Sequence, residues 1–180
     1  MENLDPTETE ALARRATTLA LRTAAAILPS REEASDVAQD VAVDVLRSLG
    51  KLRDPTAFDA WVHKITVRHA LRHLKRRRAI GRTETPIALL DGAAEPATPQ
   101  GANRDAIVAA RQVLAAALAS LPPKQRLALA LRYVHDLRDA EIAAALGCRT
   151  GTVHSLLSRA RSSLRRDSQL AELLPAFEGA

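Results

Sequence analysis

The sequence predicts an all-α fold of two small helical domains, and three observations carry that reading. Aromatic residues make up only 2% of a chain that is 47% apolar, so any core must be assembled from Leu, Ala, Val and Ile. Ala, Leu, Arg and Glu dominate, and no long stretch alternates apolar and polar residues with the period of two that marks a half-buried strand. Between two helix-patterned stretches lies "TETPIALLDGAAEPATPQGA", which carries Pro86, Pro96, Pro99, Gly92 and Gly101 and loses the helical period. It reads as a flexible linker over 80–103, between a domain at 1–79 and a second at 104–168, with a tail at 169–180. A chain of 180 residues accommodates two such domains.

The first helix is predicted from Pro6 to about Leu28, with Asp5 as cap, Pro6 at the first helical position and Glu8 completing a capping box. Pro29 breaks it. Ser30 and Glu33 then form a second capping box, opening a helix that carries Val37, Val41, Val45 and Leu49 at four-residue spacing until Gly50. That stripe is core. Beside it Asp36, Asp40 and Asp44 recur at the same spacing; they repel one another and need a basic partner. Asp54-Pro55 opens a third helix with Phe58, Trp61, Val62 and Ile65 on one face, leading into Lys75, Arg76, Arg77 and Arg78.

Beyond the linker the helical period resumes near Arg104 and runs through Val113, Leu114, Ala117 and Leu118 to Pro122-Pro123. Three shorter helices are predicted after it: "KQRLALALRYV", "DAEIAAALG" and "TGTVHSLLSRARSSLRR". Ser168 to Ala180 reads as a frayed end, with a surface for a partner protein as the alternative.

The net charge of +5 is unevenly distributed. Residues 61–82 hold eight basic and no acidic groups, and 149–180 hold five basic and three acidic, whereas 1–60 is net acidic. Two concentrated cationic patches suggest two places where a polyanion is touched. The plainer alternative for 61–82, a solvated helix face, leaves an acid-free run to repel itself.

The segment "RDAEIAAALGCRTGTVHSLLSRARSSL" has the plan of a helix-turn-helix. A short helix with Glu141, Ile142 and Ala145 ends at Gly147, which permits a left-handed turn, and Thr150 is placed to cap the next helix. There Val153, Leu157, Ala160 and Leu164 make one buried face. The opposite face presents Thr152, His154, Ser155, Ser158, Arg159 and Ser162, short donors and a cation suited to phosphates and base edges in a major groove. A helical hairpin packed on another protein is the alternative.

These residues resemble the extracytoplasmic-function group of bacterial sigma factors. "ALASLPPKQRLALALRYVHDLRDAEIAAALGCRTGTVHSLLSRARSSLR" is similar to their region four, "SDVAQDVAVDVL" to the polymerase-binding motif of region two, and "AFDAWVHKITVRHALRHLKRRR" to its DNA-binding helix. The resemblance implies a non-enzymatic initiation factor without cofactors, whose partners are core RNA polymerase, double-stranded promoter DNA and an anti-sigma factor. It places polymerase contacts at Asp36, Val37, Gln39, Asp40, Val41 and Asp44. Contacts to the minus-10 element fall at Lys64, Arg68, His69, Arg72, Lys75 and Arg76. Contacts to the minus-35 element fall at Arg149, Thr150, Thr152, His154, Ser155, Ser158 and Arg159. The chain departs from the family at Arg68 and Arg72, where Asn and Asp are usual, and at His154 and Leu156, where Lys and Arg are common; Ala42 and Leu46 replace aromatics, and Arg138 a capping Ser.

Other readings are weaker. A stand-alone helix-turn-helix regulator has no need of the Asp36 to Asp44 stripe; an interaction protein that kept the fold without promoter activity would explain the replaced residues. His63, His69 and His73 invite a metal, but Cys148 is distant, no carboxylate lies between residues 60 and 83, and the surrounding cations repel one. No glycine-rich phosphate loop, nucleophile elbow or paired carboxylates point to catalysis. The single cysteine excludes an internal disulfide. No signal pattern is present, and the longest largely apolar run, Leu114–Leu121, is far below the ~18 residues of a membrane span. A cytoplasmic protein without membrane insertion is expected.

Overall fold

A computed structural model describes residues 5–52, 54–80 and 104–173. Eight α-helices follow in order: α1 Pro6–Ala25, α2 Arg31–Ser48, α3 Phe58–Ala79, α4 Arg104–Ser120, α5 Pro123–Tyr133, α6 Asp139–Leu146, α7 Thr150–Arg165 and α8 Ser168–Leu173. No strand occurs among the described residues. The stretch read as a linker lies outside them, apart from Ile80.

Helices α1, α2 and α3 pack on one another. The valines of α2 do what their spacing requires: Val37, Val41 and Val45 are buried, as is Leu49 just past the helix end. From α1 come Ala16, Ala20 and Ala24, small enough to let the helices approach closely, and from α3 come Phe58, Val62, Ile65 and Leu74. Trp61 is half-buried at the edge of this core. α1 stops at Ala25, earlier than its pattern suggests, because Ile27 and Leu28 turn inward in the loop that follows and are themselves almost fully buried.

In the second half α5, α6 and α7 pack around Leu127, Leu131, Ile142, Val153, Leu157 and Ala160. Ser30 caps α2 by accepting from the Glu33 amide at 3.1 Å, and Glu8 reaches back to the Asp5 amide at 3.3 Å. At α6 it is Glu141 that closes the first turn, accepting from the Arg138 amide at 2.8 Å and from its guanidinium at 3.3 Å. Hydrogen bonds from the Arg138 side chain and backbone hold the Glu141 carboxyl below the usual carboxylate range.

Three expectations need correction. Thr150 is the first residue of α7 rather than its cap; the cap position is Arg149, whose carbonyl accepts from Thr152 N at 2.9 Å, with no side-chain bond. Leu114 is 38% exposed because α4 turns Ala115 and Ala117 inward instead. The start of the supposed frayed tail is α8: Asp167 Oδ1 accepts from Gln169 N at 3.1 Å and Leu170 N at 3.2 Å, and the helix packs against α4 and α7. Asp167 is an N-cap residue, and that signal was available in the sequence.

Gly147 carries the turn between α6 and α7 at φ +63°, with open space where a Cβ would stand. Its replacement therefore costs backbone strain alone. Gly147→Ala should lower the unfolding free energy by about 1 kcal/mol, read as a shifted urea midpoint at constant slope, and Gly147→Asn should cost less.

Candidate nucleic-acid interface

Helix α3 divides its surface three ways. Its inner face is the apolar stripe already described. A second face meets α2: His69 Nε2 lies 2.8 Å from Asp44 Oδ2, His73 Nε2 lies 3.3 Å from Glu33 Oε2, and the Arg77 guanidinium pairs with the other Glu33 oxygen. These partners recur at intervals of four along α3, so two carboxylates of α2 grip three successive turns. The third face is open: Lys64, Arg68, Arg72, Lys75 and Arg76 are all exposed. Their spacing of four, four, three and one aligns them on one side of the helix. No acidic residue falls within 61–82 to neutralise them, so the cationic excess found by counting becomes a directed stripe.

His69, expected among the DNA contacts, points to Asp44 and is only 13% exposed in its side chain. It stands apart from the basic stripe. The two other histidines considered for metal also have partners: His73 faces Glu33, and His63 lies in the core against Thr23.

On α2 the six expected contact residues separate by burial. Val37 and Val41 are buried at 3% and 0% and serve the core. Asp44 is half-buried and has found its basic partner in His69 of the same chain. Asp36, Gln39 and Asp40 are exposed, and Val43 and Leu46 continue the same face at 44% and 40% exposure. Sequence reasoning missed these two apolar members, although their offsets of seven and ten from Asp36 place them there.

The helix-turn-helix is α6 and α7. Val153, Leu157 and Ala160 hold α7 down, while Arg149, Thr150, Thr152, His154, Ser155, Ser158 and Arg159 are all exposed on its other side. Leu156, which the pattern leaves outward, is half-buried against the core. Asp139, the first residue of α6, pairs with Arg132 of α5 and sits 3.1 Å from His154 Nε2, linking three helices of the module.

A helix-turn-helix with one face of its second helix free, and a separate helix bearing an acid-free basic stripe, define a helical protein with two cationic working surfaces. Its relatives agree. The Sigma-70 region 2 family model matches residues 12–80, and the Sigma-70, region 4 model matches residues 111–164. The ECF RNA polymerase sigma factor SigE of Mycolicibacterium smegmatis is 35% identical over 136 residues, covering 76% of this chain and 52% of its own. The RNA polymerase sigma-H factor of Pseudomonas aeruginosa is 32% identical over 151 residues, covering 79% and 76%. The chain belongs to the sigma-70 family of RNA polymerase sigma factors, in its extracytoplasmic-function group. It spans about half the length of the SigE relative. Among solved structures, CnrH in complex with the cytosolic domain of CnrY aligns with a TM-score of 0.61 at 20% identity, over 96% of this chain and 91% of that one. RpoE of Bartonella quintana in complex with the anti-sigma factor NepR aligns with a TM-score of 0.60 at 20% identity, over 91% and 96%. At that identity the likeness concerns the fold.

The α2–α3 clasp has a measurable consequence. Glu33→Ala removes the carboxylate that Arg77 and His73 share, where their side chains are only 13% and 31% exposed, and should lower the unfolding free energy by about 1–3 kcal/mol. Asp36→Ala, on the exposed side of the same helix, should stay within about 0.5 kcal/mol. Chemical denaturation of the two variants checks the difference.

Proposed function

We propose that the chain recruits core RNA polymerase to promoters and directs initiation, acting in the cytoplasm by binding rather than by catalysis. The observation that carries this reading is the exposed stripe Lys64, Arg68, Arg72, Lys75 and Arg76 on the region 2 helix of a chain whose other half is a helix-turn-helix. In this reading the stripe holds the minus-10 element and the outward face of α7, from Arg149 to Arg159, reads the minus-35 element. The exposed α2 face, Asp36, Gln39, Asp40, Val43 and Leu46, docks on polymerase; its apolar pair supplies burial and its carboxylates supply orientation. The division into residues 1–79 and 104–168 belongs to the same proposal.

The helix-turn-helix face supports modest affinity by itself. It offers two arginines, Arg149 and Arg159, with His154 tied to Asp139, and phosphate contacts depend on the number of cations supplied. Firm promoter binding then requires polymerase to hold both modules on one DNA, where linked sites reinforce each other. A masking partner is also proposed: the RpoE structure similar in fold was solved with an anti-sigma factor, and the apolar α2 face suits a covering protein.

Run-off transcription with core polymerase on genomic templates tests the reading, and failure on every template refutes it. Asp40→Arg should abolish co-purification with core polymerase while leaving the fold intact. Arg68→Ala and Arg72→Ala should each shallow the log-log salt dependence of DNA binding by about 0.7–0.9, whereas His69→Ala should leave that slope unchanged.

A further inference from the structure

The two halves of the chain share one continuous core. Helix α6 packs along α3, and α5 approaches α1. Polar contacts cross the same seam. Arg22 of α1 donates to the Val134 carbonyl at 3.2 Å, and Arg126 of α5, itself only 3% exposed, donates to the Ile27 carbonyl at 3.4 Å. At the centre stands Thr23, fully buried, with His63 Nδ1 at 3.1 Å and His135 Nε2 at 3.0 Å from its hydroxyl oxygen. The two imidazole rings meet edge to face with centroids 4.3 Å apart.

The hydrogens of this cluster follow from counting donors. Thr23 Oγ1 also lies 2.8 Å from the Leu19 carbonyl, which can only accept, so the single hydroxyl hydrogen goes there. Both imidazoles must then donate into the Thr23 oxygen. His63 comes from α3 of one half and His135 from the α5–α6 loop of the other, so a buried hydroxyl of α1 joins the two halves through neutral rings.

The closed packing brings α6 to the border of the proposed DNA surface, at a groove that Lys64 shares with Ala144. A cavity of about 390 Å³ at the start of α3 is lined by Trp61, Lys64, Lys51 and Asp54, and Ala144 of α6 stands at its edge. The two promoter elements, by their names, lie about 25 base pairs apart, which is roughly 85 Å of straight duplex at ~3.4 Å per pair. A helix is only about 10–12 Å across, so α7, packed on α6, which is packed on α3, lies far short of that separation.

We propose that this packing is an autoinhibitory latch: the free chain is held closed at Thr23, His63 and His135 with α6 against the Trp61–Lys64 groove, and must open there before both promoter contacts form. The inference rests on the reading that α3 and α7 contact promoter DNA. The charged groups facing the histidines are Arg22 from α1 and Asp59 from α3, the latter paired with Arg15 at 2.7 Å. Burial pushes His63 down to about 4, with Asp59 partly opposing and Arg22 assisting. Burial, then His63 and Arg22, push His135 down to about 3. Opening returns both rings to water and to an ordinary value of about 6.5. The closed state therefore holds its full advantage above that pH. As pH falls below about 6.5 the open state gains protons that the closed state refuses. The open-to-closed ratio rises by up to about tenfold per histidine per pH unit, until each depressed value is reached.

The test is energy transfer between dyes on the full-length chain, at Glu32→Cys and Arg161→Cys in a Cys148→Ser background, titrated from pH 8 to pH 5 with circular dichroism to separate opening from unfolding. High transfer at pH 8 that falls below pH 6.5 at constant helicity is expected. The His63→Asn/His135→Gln variant keeps a donor near each ring position but cannot titrate, and should hold high transfer to pH 5. Low transfer at pH 8, or a pH response that persists in this variant, overturns the latch. Run-off transcription by the unlabelled chain separates the two claims: transcription with low transfer at pH 8 removes the latch alone, whereas a latch with no transcription on any template removes the autoinhibitory meaning together with the functional reading.

Discussion

Helix α3 is the element on which the rest of the molecule depends, because it must be held firmly while leaving a dense positive charge facing outward. Burial supplies the holding energy. Phe58, Val62, Ile65 and Leu74 are each at least 94% buried, and a fully buried side chain of this size contributes about 1.5–3 kcal/mol. The polar contacts with α2, of which Arg77 with Glu33 is the ion pair, are partly exposed and are worth less, on the order of 1 kcal/mol or below each. Their importance lies in direction: Glu33 and Asp44 occupy the His69, His73 and Arg77 side of the helix and so fix which cations remain outward. The chain thus spends its α2 acids in two ways, some inward to α3 and some outward at Asp36 and Asp40.

Much of this was legible in the sequence. The four-residue spacing of Val37, Val41 and Val45 gave a stripe that is buried, and Gly147 marked a turn that is left-handed at φ +63°. The outward face of α7 was legible for the same reason, since every residue assigned to it is exposed. Periodicity identifies faces well but does not say which of two polar faces is turned to a neighbouring helix. His69 belongs to a stripe one position away from Arg68, and only the packing of α2 against α3 separates them. Val37 and Val41 show the converse: a motif recognised as a string of letters mixes exposed residues with the core residues that position them.

The contacts between the two halves were not legible at all. Arg126, Thr23, His63 and His135 are far apart along the chain and carry no local spacing signal, and His63 looked like one of three histidines on a basic helix. Their roles emerge only when α6 is laid on α3 and α5 is brought to α1. Those contacts also relate the two cationic surfaces to each other. Each surface is open to solvent over most of its extent, yet in the closed chain they are a few helix diameters apart, whereas promoter elements separated by about 25 base pairs require far more. On the proposed reading, binding both promoter elements and remaining closed are alternatives, and polymerase, by holding each half separately, is the proposed agent that shifts the balance between them.

The central claim is that α3 presents its basic stripe to the minus-10 element during promoter opening. Permanganate reactivity of promoter thymines, with core polymerase and the full chain on a template that supports run-off, tests it most directly. Reactive thymines confined to the minus-10 region, lost when Arg68 and Arg72 are both replaced by Ala, are the predicted result. A bubble that forms equally well with the doubly substituted chain, or the absence of any bubble with the unaltered one, would contradict it.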